Sequence, residues 1–295
     1  MKQLLTFVGK AVLCALALTV GTLIGAPIST ALGAVLPAIP AGVDQGSLAL
    51  SGAFASFVLA LALGPLARGL AAGFLARWAM LGLLAYVCLG VNTAIEAALF
   101  TTVGGTSGLI VLNVFSSVLF AAAVAASFRP SSELPGWRVS WRRFWRQHGT
   151  TQWAWRLGAA VLAFPVTYLL FGMMAGPFVV DAYRAGEFGL TLPGLDRILP
   201  VQFLRSGLFL VASLPVLVAW QGSRLRLSLA LGTAHFGLVG LFGMLQASWL
   251  PGSMRFIHSV EILADSLCYA AVLVALLVPP REKDQPSISL TSVAA

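Results

Sequence analysis

Charge is what this chain lacks. Only 9% of its 295 residues are Asp, Glu, Lys or Arg, against about 25% in a soluble globular domain. So little charge cannot coat a water-facing exterior. Acid is scarcer than base: ten Asp and Glu stand against eighteen Lys and Arg, a net charge of +8. In a soluble protein that excess would suggest nucleic acid as a partner; here it suits loops facing anionic lipid, and no nucleic-acid role is expected. The three cysteines, Cys14, Cys88 and Cys268, sit singly inside apolar runs. They have neither disulfide nor metal-site spacing and read as small buried hydrophobes. The two-histidine zinc helix H-E-x-x-H is missing, and no Gly-x-Ser-x-Gly or phosphate-binding loop occurs in a plausible context. Also missing are the alternating ten-residue segments of a transmembrane β-barrel.

What is present is one long apolar run after another, in a chain that is 59% hydrophobic. A helix crosses the ~30 Å hydrocarbon core in ~20 residues. Eight such segments are expected at 4–25, 47–66, 76–100, 107–128, 153–176, 201–220, 227–250 and 254–278. The fold class is all-α, a polytopic integral membrane protein. The first segment competes with a signal-peptide reading, but Lys10 interrupts it and it has a counterpart later in the chain, so a retained helix is expected. Lys2, Arg68, Arg77, Arg129, Arg138, Arg142, Arg143, Arg146, Arg224, Arg226, Arg281 and Lys283 fall on one side of an eight-span arrangement. Arg184, Arg197 and Arg255 fall on the other. Basic loops stay inside, so both termini are expected in the cytoplasm, in a cell membrane of the bacterial inner-membrane kind.

The segments divide into halves at 1–128 and 153–280, joined by a linker at 129–152 and followed by a polar tail at 281–295. Pro27 and Pro177 are expected to close outer helix ends 150 residues apart, and Pro65 and Pro215 repeat that offset. Gly21 and Gly25 precede the first proline much as Gly172 and Gly176 precede the second, each pair allowing close helix approach. Four spans per half is an even number, so the expectation is two parallel four-helix repeats. In the linker, Trp137, Trp141 and Trp145 recur every fourth residue, as do Arg138, Arg142 and Arg146. As a helix this would anchor at the interface, rings among headgroups and arginines on the phosphates of anionic lipid at the cytoplasmic face.

Ionisable residues inside a membrane cost roughly 2.5–3.5 kcal/mol each and by default mark function. The last span can cross only by including Arg255, His258, Glu261 and Asp265. Glu261 then lies ~10 Å deep and Asp265 ~16 Å deep. The Pro251-Gly252 turn brings Gln246 of the seventh span near the depth of His258, with His235 deeper. A similar hairpin brings Glu96 and Asn92 of the third span beside the fourth, where Asn113 lies. An offset near 148 pairs Asn113 with Glu261. The proposed lining of one outward-facing cavity is Asn92, Glu96, Asn113, Arg205, Gln246, His258, Glu261 and Asp265.

Three functional readings fit this pattern. In the first, a transporter or permease uses the cluster to bind a small molecule or ion or to relay protons. In the second, a structural, sensory or assembly protein uses it as a packing network, with Arg205 or Arg255 neutralising Glu261 and His258 bonded to Gln246. In the third, an intramembrane enzyme takes metal ligands from His258, Glu261, Asp265 and His235. The transporter reading is preferred, and no cofactor is expected.

Overall fold

The computed structural model describes residues 2–38, 43–130 and 137–280. Among them there is no β-strand, only two isolated bridges, Leu70 with Trp220 and Thr101 with Leu190. Eight helices are long and apolar enough to cross a membrane: Gln3–Ala31, Gln45–Gly69, Phe74–Phe100, Thr106–Ser127, Thr150–Ala185, Leu195–Ala219, Arg224–Gln246 and Gly252–Leu277. They are the first to eighth spans below, and their length and composition suit a multi-pass membrane protein. The tail 281–295 lies outside the described residues, as does part of the linker, 131–136.

An apolar helix matches each expected span, but several ends move: the sixth begins at Leu195, the seventh stops at Gln246, and the first and fifth run on past their prolines. Neither Pro27 nor Pro177 closes a helix: the first span continues to Ala31 and the fifth to Ala185. Proline removes one N–H, and in an apolar helix nearby hydroxyls and neighbouring helices take over the freed backbone groups. Just past Pro27 the turn is tied further by hydroxyls, Ser29 Oγ donating to the Gly25 carbonyl at 2.8 Å and Thr30 Oγ1 to that of Ala26 at 3.2 Å, while the carbonyl that Pro27 itself frees is that of Leu23. The fifth span stops where Gly186 adopts φ 70, the left-handed conformation that glycine tolerates. Asp181, Tyr183 and Arg184, expected in a loop, therefore stand on its last turns.

Two spans carry π-helical segments, Tyr86–Val91 in the third and Gly237–Leu241 in the seventh. Such segments insert an extra residue into a turn and re-aim the side chains beyond it. The second and sixth spans have 25 residues each and begin and end 150 positions apart. Where they finish, the backbones exchange reciprocal hydrogen bonds. Ala71 N–H donates to Ala219 O at 2.8 Å, and Gln221 N–H to Gly69 O at 3.0 Å. Basic side chains close helix ends nearby. Arg77 donates to Phe128 O at 3.0 Å; Arg224 donates to Val274 O and Ala275 O, and Arg156 to Leu276 O. Cations there satisfy free carbonyls and favour the negative end of the helix dipole.

Close approach explains some glycines and separates others. A Cβ on Gly21 would lie 2.6 Å from Ser116 Cα, and one on Gly25 2.7 Å from Leu112 O. The first and fourth spans thus touch backbone to backbone, as small residues permit. Gly172 and Gly176 do not repeat this. The nearest neighbour of Gly172 is Oε1 of Glu261, at 3.5 Å, and a Cβ on Gly176 would meet nothing within 4 Å. A Cβ on Gly69 would fall 1.9 Å from the Trp220 ring, which is buried and donates through Nε1 to Ser223 O at 3.2 Å. Gly69→Ala should cost about 1–3 kcal/mol by overpacking. In thermal unfolding of the purified protein, Trp220→Leu in the same chain should recover part of that loss. An unchanged midpoint for Gly69→Ala would refute the tight packing.

Candidate functional site

Arg205 and Arg77 are the two buried arginines among the described residues, and Arg205 is the more deeply enclosed. It sits in the sixth span, 2% exposed. A guanidinium is always charged and presents donors in a planar fork, so burying it demands an acceptor on each edge. All three nitrogens have one. Nε donates to Asn92 Oδ1 at 2.7 Å, Nη1 to Gln202 Oε1 at 2.9 Å and Nη2 to Glu96 Oε1 at 2.5 Å. Three rings surround the cation, with centroids 5.2 Å (Phe164), 5.6 Å (Tyr168) and 5.7 Å (Phe209) from Cζ. Their negative faces supply further attraction. Asn92 and Glu96 lie one helical turn apart, immediately after the π-helical Tyr86–Val91. The pair joins residues 109 positions apart in the chain, one from each half.

A second group runs down one face of the eighth span. His258, Glu261, Asp265 and Tyr269 follow one another at spacings of three and four, so they stack along one side. His258 Nδ1 is 2.9 Å from Glu261 Oε2, and Nε2 is 3.3 Å from the Tyr183 hydroxyl. An ionised Glu261 accepts from Nδ1–H, which leaves Nε2 of a neutral imidazole to accept from Tyr183. Deeper, Asp265 is 7% exposed, and Thr167 lies beside it. Its Oδ1 has no hydrogen-bond partner.

The groups meet electrostatically. Asp265 feels the charges of Arg205, Glu261 and Glu96. Tyr168 does so too. Glu96 of the third span and Glu261 of the eighth therefore act on the same two side chains. Together the two groups hold three carboxyl groups and a single permanent cation.

Other expected members lie elsewhere. Asn113 donates to Leu109 O of its own helix at 2.8 Å and packs against Gly90, without reaching Arg205. Gln246 bonds Phe242 O of its own helix and faces Gly52 of the second span, so it is not the partner of His258. Arg205 pairs with Glu96 rather than Glu261, and no ion pair of Arg255 occurs among the described residues. His235 lies apart, its Nε2 3.0 Å from Ser213 Oγ and its ring between Phe209 and Tyr269. His235 thus does not join His258, Glu261 and Asp265. No group of three or more His, Cys, Asp and Glu among the described residues is arranged to hold a metal ion.

Sequence reasoning missed Gln202, Thr167, Tyr183 and the ring cage. Gln202 was legible as the residue one turn before Arg205, and Phe164 and Tyr168 as an i, i+4 pair. Tyr183 was hidden by the expectation that its helix stops at Pro177. Compared with protein-family models, curated proteins and solved structures, the chain matches none.

Proposed function

We propose that this is a permease-like transporter in a cell membrane, with cytoplasmic termini. Its ligand and proton site is Asp265, Glu261 and His258, and the Arg205 cluster is the latch that holds the halves together. The observation carrying this reading is Asp265, a buried carboxyl group with an unpartnered oxygen beside two further acids. Acid in excess of fixed cations, in a medium of low dielectric, calls for a proton or a positively charged ligand. His258 and Glu261 lie toward the helix end, within reach of water, and imidazole exchanges protons near neutral pH. The orientation rests on Arg68, Arg77, Arg142, Arg143, Arg146, Arg224 and Arg226 gathering at one end of the spans, with Arg184, Arg197 and Arg255 at the other.

Two parallel repeats related by a pseudo-twofold axis fit the same reading. The matching bounds of the second and sixth spans support it, as do the swapped partners of the reciprocal hydrogen bonds at Ala71 and Gln221. If the halves are repeats, two glycine contacts favour a register of 149 over 148 for the last spans. Gly90 faces Asn113, and Gly240 faces Ile262. On this register Ile262 stands where Asn113 does, and Glu261 answers to Leu112. The charged site thus belongs to the second half, with no polar copy in the first.

A packing role is favoured for Arg205 by one feature, that every nitrogen of its guanidinium already has a partner. Three of its five N–H donors are thereby committed inside the protein. The transport reading is tested by protein in liposomes on a solid support. A pH jump should drive a current in the wild type, and Asp265→Asn should abolish it. A current equal in both proteins, or in neither, overturns the proton role.

A further inference from the structure

The linker helix Trp137–Trp145 was expected to anchor at the interface with its rings among headgroups. Its aromatic face is half-buried and packs against the protein core. Trp137, Trp141 and Trp145 stack in series, with centroids 5.2 and 5.7 Å apart, and Trp145 lies 4.7 Å from Trp153 at the start of the fifth span. Phe144 is buried 5.1 Å from the same ring, and Trp153 Nε1 donates to Trp145 O at 3.0 Å. The helix is therefore docked on the start of the fifth span, at the basic end of the spans.

What remains free is the opposite face. Arg142, Arg143 and Arg146 are exposed, and none has an ion-pair partner among the described residues. With Val139 and Gln147 they line an open groove of about 550 Å³. The side chain of Arg138 lies outside the described residues.

We propose that this groove is a binding site for the headgroup of an anionic phospholipid. Guanidinium forks match phosphate oxygens, and three on adjoining turns exceed what a neutral headgroup would need. Val139, 54% exposed among the arginines, gives the ligand an apolar contact that free phosphate cannot use. Docking through Trp153 holds the arginines still, which reduces the entropy lost on binding. The site would tie the two halves, through their linker, to the composition of the leaflet.

The test uses full-length protein in a zwitterionic detergent. Phosphatidylglycerol, phosphatidylcholine and inorganic phosphate are each titrated while the thermal midpoint and, by native mass spectrometry, bound lipid are followed. Phosphatidylglycerol should raise the midpoint and stay bound; phosphatidylcholine should do neither. In Arg142→Gln/Arg143→Gln/Arg146→Gln, affinity for phosphatidylglycerol should fall roughly a hundredfold. The altered side chains are exposed, so the variant's own midpoint without lipid should match the wild type and serves as the folding control. Equal affinity in both proteins overturns the proposal. So does a full response to inorganic phosphate, which would mean a solute site, or no response to any of the three, which would leave the face to an acidic protein partner. None of these outcomes bears on proton movement, so the proposal stands or falls separately from the transport reading.

Discussion

Arg205→Leu is expected to destabilise the protein by about 3–5 kcal/mol, the cost of leaving a buried charge pair with one member. Asn92 and Gln202 are buried and lose their only strong donor at the same time. Glu96 is 34% exposed and can turn partly toward water, which draws the figure to the lower end of that range. Removing the acid as well should return much of the loss, because Glu96→Gln takes away the unpaired charge. Arg205→Lys should fare little better than Leu, since an ammonium is a point charge that cannot hold three acceptors in a plane. The measurement is a double-mutant cycle on the thermal midpoints in detergent. A coupling near the ~0.6 kcal/mol average for single hydrogen bonds between membrane helices would reduce this cluster to ordinary packing.

Glu261→Gln is the second large effect, and it should separate activity from stability. The change keeps the shape of the side chain and an acceptor for His258 Nδ1, so the midpoint should move by less than about 1 kcal/mol. What it removes is the charge that can hold a proton and stabilise an imidazolium. Proton-driven current should drop by about a hundredfold or more, the usual smallest penalty for losing a proton-transfer group. His258→Gln should show the same loss, and Tyr183→Phe a smaller one, because Tyr183 reaches the relay only through Nε2 at 3.3 Å. If Glu261→Gln instead melts early and carries full current, the eighth-span stripe is structural and the proposed division of labour with Arg205 is wrong.

The class and number of spans were legible because apolar length is a local property. Any stretch of ~20 uncharged residues announces itself without reference to the rest of the chain. The stripe His258, Glu261, Asp265 was legible for the same reason, since helical spacing is written in the sequence, and so was the ridge of Trp137, Trp141 and Trp145. Helix ends at Pro27 and Pro177 were misjudged because what proline does depends on who replaces its missing N–H. That is settled by neighbours, and with it the place of Tyr183.

Partners are the part that only tertiary structure decided. Glu96, Gln202 and Asn92 on Arg205, rather than Glu261, result from which helix faces meet, and from a π-helical segment just before Asn92 that no spacing rule foretells. The same holds for the tryptophans of the linker helix, which run as a half-buried stack onto Trp153. Sequence alone determined that this chain must keep its backbone bonds inside helices and shelter a few ionisable side chains among them. It could not determine how those few charges are shared out, because a buried charge selects its partner by distance and orientation in three dimensions, and those fall off too steeply to be read from order along the chain.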